Sequence, residues 1–389
     1  MNLFTDEMRR NPYPFYAKLR ESSPLLHVPS VDLWLVLDYE GVKRALHDHE
    51  CFGNDVSPAR AVRFDWLLFM DPPRHTKLRA LVSRAFTPGS IAELAPRIQQ
   101  LASQLLDAAC PRDHMDLCAE FAAPLPLMVI AELLGLRGDR WLQLQRWSEA
   151  IMNLSNTIMG TPEQSRAAEA AFVTANAEMK EVLMALLAAR RAAPLDDLTS
   201  RLACAEVDGE LLTEEEFLHF VQLLLAAGTE TITNLIANSV ISFLEHPDEL
   251  ARLRASPDLL PSAIEEVLRY RSPGQAVFRA TRREVELHGQ RIPAGKMVLA
   301  LSGAANRDPQ QFADPDRMDI TRAKNPHFAF GHGIHFCLGA ALSRLEARIA
   351  LDELLRRLKH FALASDAPWP PRQAFHVHGP AALPIQFSC

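Results

Sequence analysis

Apolar positions recur at helical spacing over most of the chain. Between residues 90 and 205 the apolar side chains fall three or four positions apart, and alternation of period two is absent. Two stretches, SVDLWLVLDYE at 30–40 and FRATRREVELHGQRIPAGKMV at 278–298, instead show strand composition and are punctuated by turn formers. We therefore expect a mainly α fold with a smaller β region, lying mainly within 25–60 and 275–300 and in a C-terminal hairpin at 370–389.

The longest helical pattern runs from 213 to 246 and carries unusual residues at its centre. Thr213 and Glu216 have the spacing of a capping box, and His246-Pro247 ends the pattern. About 32 residues at 1.5 Å each predict a helix roughly 48 Å long. The central AAGTETITN places Gly228 and several threonines where they weaken or bend a helix, which is typical of a functional position. Close packing of two helices at Gly228 is the alternative interpretation.

A glycine-rich segment, FGHGIHFCLGA at 330–340, precedes a strongly helical stretch. Cys337 lies between Gly333 and Gly339 at the predicted helix start, where unpaired amides and the helix dipole favour a thiolate. A thiolate is a good ligand for a soft metal, and the glycines allow a flat group to approach the backbone. A small buried hydrophobe is the simpler reading of a lone cysteine.

Two further groups of side chains are candidates for metal binding, and the first would be a zinc site. His332 and His335 with Cys337 lack a usual zinc spacing and an obvious fourth ligand. The run HDHE at 47–50 is more typical of a solvated helix end than of a metal cluster.

Composition narrows the class of protein. The chain has 389 residues, of which 48% are hydrophobic and 23% charged, with a formal net charge of −7. That charge argues against nucleic acid or an anionic membrane as the main partner. The N-terminus has no apolar run of the length of a signal peptide or membrane anchor. Six cysteines without pairing rhythm fit a reducing compartment, so a cytoplasmic protein is expected.

Four motifs together resemble the cytochrome P450 family, in its soluble bacterial form. They are His75 with Arg79, the run Ala-Gly-Thr-Glu-Thr at 227–231, Glu266-x-x-Arg269, and the cysteine segment at 330–339. The resemblance covers essentially the whole chain. It implies a single domain over 1–389, a long central helix over a haem, and a monooxygenase that hydroxylates or epoxidises its substrate.

The resemblance also implies roles for individual residues. Haem b would be held by the Cys337 thiolate as axial ligand, with dioxygen as co-substrate. Glu230 and Thr231 would be the acid–alcohol pair that delivers protons to the bound oxygen. Glu266, Arg269 and Arg317 would form a structural network. Further haem contacts are implied for His75, Arg79, Arg279, Phe330, His335 and Gly339.

The candidate substrate pocket is mostly apolar. This composition predicts a hydrophobic substrate such as a fatty acid, terpenoid, steroid or macrolide-like compound. Arg63 could anchor a carboxylate, and the aromatic stretch around Trp66 is either a lid or ordinary core packing. The lining candidates are Phe64, Trp66, Leu224, Ala227, Gly228, Val277 and Val377.

Electrons are expected from an external partner of ferredoxin type, with the enzyme acting as a monomer. The docking surface would be a local basic patch formed by Arg74, Lys77, Arg84, Arg344 and Arg348. Two rival functions are a peroxide-driven haem-thiolate enzyme and a non-enzymatic haem or ligand-binding protein. Because Glu230 and Thr231 are both present, neither rival is favoured.

Overall fold

The computed structural model describes residues 5–56, 65–136, 138, 140–156, 162–374 and 376–389. The fold is mainly helical with smaller sheets, as predicted. The helices are α1 (Asp6–Arg10), α2 (Tyr13–Ser22), α3 (Tyr39–His47), α4 (Arg74–Ala85), α5 (Pro88–Ala92), α6 (Ala95–Ala109), α7 (Pro124–Leu134), α8 (Arg140–Asn156), α9 (Pro162–Ala192), α10 (Leu198–Ala203), α11 (Glu214–Gly228), α12 (Glu230–Glu245), α13 (Pro247–Ala255), α14 (Leu260–Tyr270), α15 (Ser302–Ala305) and α16 (Ala340–Arg357).

The strands fall mostly in two stretches of the chain. They are β1 (Leu25–Val28), β2 (Leu33–Val36), β3 (Phe52–Gly53), β4 (His114–Asp116), β5 (Glu206–Val207), β6 (Glu210–Leu211), β7 (Val277–Thr281), β8 (Val285–Leu287), β9 (Gln290–Ile292), β10 (Met297–Ala300), β11 (His360–Leu363) and β12 (Pro384–Ser388). The chain forms two compact units, one of 1–56, 102–122 and 231–389 and the other of 57–101 and 123–230.

The first unit contains a five-stranded sheet in the order β1-β2-β10-β7-β3. β2 runs parallel to β10, and the other neighbours are antiparallel. Trp34 and Val36 of β2 and Val42 and Leu46 of α3 belong to one buried apolar cluster. This cluster follows the amphipathic pattern of α3, whose buried positions lie three and four residues apart.

Among the described residues of the second unit, the regular elements are helices apart from the hairpin β5–β6. Its helices are joined by buried polar contacts at their ends. Asp197 caps α10 by accepting from the Ser200 amide and also pairs with Arg190 near the end of α9, with 2.5 Å between Nε and Oδ2. Gly135 has a φ of +75° and ends α7 in the left-handed conformation.

The structure corrects the predicted β and cysteine pattern in three places. β4 lies within the stretch predicted to be nearly all helical. The strand at the end of the chain, β12, pairs with β11 and β4, whereas inside the predicted hairpin an isolated bridge joins Pro371 and Pro380. Cys110 and Cys389 form a disulfide, although the sequence predicted none.

The long helical pattern at 213–246 is divided into α11 and α12 at Thr229. The capping box of Thr213 and Glu216 is confirmed. Glu214–Glu245 is long and apolar enough to cross a membrane, but 61% of its most apolar window is buried inside the protein. Such burial is also found in the core helix of a water-soluble protein, so this helix is weak evidence for a membrane span.

Candidate functional site

The segment around Cys337 is held by its own backbone and by α3. The amide of Cys337 donates to the Phe330 carbonyl over 2.9 Å, which closes the loop, and α16 begins three residues later. Gly333 has a φ of +72°, and a Cβ there would lie 2.7 Å from the Leu46 carbonyl oxygen of α3. A Cβ on Gly339 would lie 4.0 Å from the Cys337 Sγ, so the backbone passes close beside the sulfur.

A charged cluster packs against the aromatic end of this loop. The Arg344 guanidinium lies over the Phe330 ring, 4.4 Å from its centroid, and binds Glu265 through two hydrogen bonds of 2.7 and 2.8 Å. His327 Nδ1 accepts from the Ala329 amide, so its Nε2 carries the proton that faces Glu265 over 3.1 Å. This cluster of Arg344, Glu265 and His327 was not predicted from the sequence.

The electrostatic interactions of this cluster include Cys337. Burial acts to raise the pKa of Glu265, but the hydrogen bonds from Arg344 and His327 outweigh it and lower that pKa to about 2. The pKa of Arg344 is raised, first by its hydrogen bonds with Glu265 and to a smaller extent by the charge of Cys337. Arg344 is therefore a cation whose charge interacts with Cys337.

Glu266 and Arg269 form a fully buried ion pair, with hydrogen bonds of 2.8 and 2.9 Å. The third arginine is not the one predicted. Arg317 contributes its backbone carbonyl to Arg269, and its side chain is exposed. Arg322 instead places its guanidinium 3.2 Å from the Glu266 carboxylate. Both arginines lie in the same irregular segment, and spacing alone did not separate them.

At the junction of α11 and α12, Thr229 makes buried hydrogen bonds with two elements. The Thr229 hydroxyl donates to the Leu225 carbonyl four residues back over 2.8 Å, a bond that bends helices, and it accepts from Ser148 at 2.9 Å. A Cβ on Gly228 would lie 3.3 Å from Ile130 Cδ1 of α7, which supports the packing interpretation of this glycine. Glu230 and Thr231 follow as the first residues of α12 and are partly buried.

The remaining candidates for haem contact are cationic or aromatic residues on regular elements. His75 and Arg79 lie four residues apart on α4, and His75 is buried. Arg279 lies on β7, is 3% exposed, and donates to the Phe278 carbonyl over 2.8 Å. His335 ends a short 3₁₀ turn two residues before Cys337 and is partly buried.

The pocket candidates differ in their surroundings. Trp66 is 4% exposed and donates from Nε1 to Gln222 over 3.0 Å, which supports core packing rather than a lid. Val377 forms an isolated bridge with Gly274, and Val277 begins β7 beside that segment. Leu224 is partly buried and Ala227 exposed on α11. Arg63 and Phe64 lie outside the described residues.

Cys337 is also distinguished from the other cysteines. Cys110 and Cys389 are joined in the disulfide, and Cys51 accepts from the Arg283 guanidinium at 3.2 Å. Burial raises the pKa of Cys118 to about 12, and its thiol donates to the Pro380 carbonyl. Cys118 is thus a neutral core thiol, whereas Cys337 lies outside any disulfide, is partly buried and is next to a helix start.

Comparison with known proteins decides the family. The family model described as "Cytochrome P450" matches residues 143–382. Cytochrome P450 107B1 of Saccharopolyspora erythraea is 40% identical over 98% of this chain and 96% of its own length. The chain belongs to the cytochrome P450 family.

Solved cytochromes P450 share the fold. The structure of CYP109Q5 from Chondromyces apiculatus has a TM-score of 0.91 and 39% identity, with 99% of this chain and 97% of that chain covered. CYP109E1 from Bacillus megaterium in complex with corticosterone has a TM-score of 0.91 and 36% identity, covering 98% and 100%. This cytochrome P450 is therefore an oxidoreductase of the monooxygenase class.

Cytochromes P450 bind haem through a cysteine thiolate and use dioxygen, and the residues of this chain fit that group. The sulfur of Cys337 has a backbone free of side-chain bulk at Gly339 and a cation at Arg344. Across the described residues, no group of three or more His, Cys, Asp and Glu side chains could hold a metal ion, so the zinc alternatives gain no support.

Proposed function

We propose that this cytochrome P450 inserts one oxygen atom of dioxygen into a hydrophobic small molecule, with Cys337 as the axial ligand of haem b. The observation that carries the proposal is the surroundings of Cys337, where a helix start, a glycine backbone and the Arg344 cation all favour a thiolate. When bound, the haem supplies the iron at which dioxygen is activated.

Further residues of the chain take separate roles in this proposal. The cations His75, Arg79 and Arg279 bind haem propionates, because carboxylates prefer fixed cationic donors. Phe330 and His335 contact the haem beside Cys337. Thr231 holds a water and donates a hydrogen bond from its hydroxyl, and Glu230 passes protons inward from solvent.

The substrate class rests on the apolar character of the candidate pocket and on a relative. CYP109E1 has been solved with corticosterone, a steroid. The proposed lining residues are Leu224, Ala227, Val277 and Val377, which are apolar, and Gly228. We propose a fatty acid, terpenoid, steroid or macrolide-like substrate that is hydroxylated or epoxidised.

The first test is optical. The haem-loaded ferric protein is titrated with steroids, fatty acids, terpenoids and macrolides while the Soret band is followed. A shift from low to high spin with one class supports the proposal and names the substrate class. A Cys337→Ser variant should lose the thiolate-type Soret band of the ferrous carbon monoxide complex. Retention of that band in Cys337→Ser would overturn the assignment of the ligand.

The proton role of Thr231 has its own test. In Thr231→Ala, electrons should be diverted from product to peroxide, because the hydroxyl that positions the proton donor is gone. Thr233→Ala is the matched control, since the Thr233 hydroxyl donates to the Ala122 carbonyl over 3.1 Å. Equal peroxide release by both variants would remove Thr231 from the proton path.

The proposed electron donor is a ferredoxin-type protein that docks on basic residues. Arg74 and Lys77 form ion pairs with Glu216 and Glu210, and Arg84 donates to the Glu206 carbonyl, so they are weaker candidates than the sequence indicated. Arg348 is exposed on α16, one turn beyond Arg344. Arg348→Glu should slow reduction by ferredoxin, whereas Arg356→Glu near the far end of α16 should not. Equal reduction rates in both variants would contradict docking at Arg348.

We further propose that the chain works in the cytoplasm as a monomer and as a single cytochrome P450 domain. The match of the relative over 98% of this chain and 96% of its own length supports the single domain. Size-exclusion chromatography with light scattering tests the monomer, and a dimer mass would contradict it.

A further inference from the structure

α12 carries a polar stripe along its whole length. Thr231, Asn234, Asn238, Ser242 and Glu245 fall within about 80° of the helix circumference at 3.6 residues per turn. Asn234, Asn238 and Ser242 are completely buried, whereas 47% of the Glu245 side chain is exposed. The stripe therefore runs from Thr231, near the start of the helix, to the exposed Glu245 at its end.

The buried members of the stripe have unmet hydrogen-bonding capacity. Over the described residues, both polar atoms of the Asn234 side chain, Oδ1 of Asn238 and Oγ of Ser242 have no hydrogen-bond partner. Leaving such an atom unsatisfied costs about 1–3 kcal/mol. Internal water molecules normally satisfy polar atoms of this kind.

The opposite wall of the stripe is also polar. The Asn238 amide donates to the Arg271 and His378 carbonyls, each over 3.0 Å. His378 Nδ1 and Arg271 Nε likewise find no acceptor or donor within the part of the chain that the structure describes. The His378 Nε2 faces the Arg10 carbonyl at 3.1 Å, so Nδ1 is the acceptor nitrogen of the ring.

The two ends of the stripe are defined by further contacts. At the inner end, a Cβ on Gly379 would lie 2.5 Å from Asn234 Oδ1, so the 378–379 backbone lies directly against this amide. At the outer end, Arg271 forms an ion pair with Glu245. The chain from Asn234 through Asn238 and Arg271 to Glu245 is thus lined by polar atoms.

We infer that ordered internal waters occupy this stripe and form a hydrogen-bonded file between Glu245 and Thr231. Each proton that leaves the Thr231 hydroxyl is replaced from the adjacent water, and one proton is taken up from solvent at Glu245. This route is separate from Glu230. The role of the file in proton supply rests on the proposed function of Thr231, whereas the presence of the waters does not.

The waters are tested by crystallography of the haem-loaded protein and of two serine variants. Ser242 and Ser239 are both fully buried on α12, but the Ser239 hydroxyl lies off the stripe and donates to the Leu235 carbonyl over 2.7 Å. We expect ordered waters bonded to Asn234, Asn238 Oδ1 and Ser242 in the parent. Ser242→Ala should lose the water at residue 242, and Ser239→Ala should keep them all. A dry stripe in the parent would overturn the inference.

The proton route is tested by the yield of product per electron. Asn234→Leu replaces the amide by an apolar group of similar size and should lower this yield about threefold, because a complete proton relay contributes a factor of about 10²–10⁴ and Glu230 remains. Ser239→Ala should match the parent. An unchanged yield in Asn234→Leu would overturn the route. The substrate-induced Soret shift distinguishes failure of this route from failure of the proposed function. These variants should retain the shift.

Discussion

Glu265 and Glu266 are neighbours on α14, yet they are stabilised in different ways. Glu266 is fully buried and accepts from Arg269, Arg322, the Asn325 amide and the backbone amide of Asp319. Glu265 is 30% exposed and binds Arg344 and His327, which pack on Phe330. The first carboxylate fixes the irregular segment before the cysteine loop, and the second connects that loop to α16. The two glutamates carry the same charge, so burial and the number of hydrogen-bond partners distinguish the core network of Glu266 from the partly exposed network of Glu265.

The comparison predicts the largest effect at Arg269. Arg269→Met leaves the Glu266 carboxylate buried with too few donors, which should lower the free energy of unfolding by about 3–5 kcal/mol. Urea denaturation followed by circular dichroism measures this loss. Arg252→Met is the matched control, because Arg252 also pairs with a glutamate three residues back but is 46% exposed, and it should cost less than about 1 kcal/mol. Similar losses in both variants would contradict the distinction.

A smaller effect is expected at Arg322. Arg322→Ala removes a mostly buried hydrogen bond to a charged group and should cost about 1.5–3 kcal/mol in unfolding free energy. Arg317→Ala should be nearly neutral, since Arg317 contributes only its backbone carbonyl to this network. A larger loss of stability in Arg317→Ala than in Arg322→Ala would instead support the predicted network, in which Arg317 is the third member.

The smallest effect is expected at Glu265, and it should depend on pH. Glu265→Gln should cost about 1 kcal/mol at neutral pH, because the side chains of Glu265 and Arg344 are partly exposed to solvent. The pKa of Glu265 is lowered to about 2, so its contribution is present above about 4.5 and is lost as the pH falls towards 2. The stability difference between parent and Glu265→Gln, measured by thermal unfolding, should therefore shrink over that interval. A difference that grows towards low pH would refute this account.

The sequence predicted the parts of the structure that depend on short-range pattern. The capping box at Thr213 and the strand at Trp34 follow from local sequence and were found as expected. The hairpin β5–β6 turns at Asp208-Gly209, and both residues have positive φ. This dipeptide is a hairpin signal that is visible in the sequence, although the hairpin was not predicted.

The features that the sequence did not predict depend on contacts between distant residues. Arg322 takes the place expected for Arg317 because the fold of the irregular segment decides which side chain reaches Glu266. The Cys110–Cys389 pair spans 279 residues and has no local signal. β4 has three residues, too few for a period to be recognised. The end of α11 at Thr229 lies within a continuous helical pattern, so periodicity did not predict it.

Gly333 limits how the cysteine loop can be engineered. Its missing side chain lets the cysteine loop rest on the Leu46 carbonyl at the end of α3. A library that varies only the loop will therefore find this position intolerant, since any other residue is both strained at a φ of +72° and obstructed by backbone. Substitutions in the last turn of α3 are an alternative way to change the position of the loop. A shift of Leu46 would move the loop that carries Cys337 without altering a single residue in it.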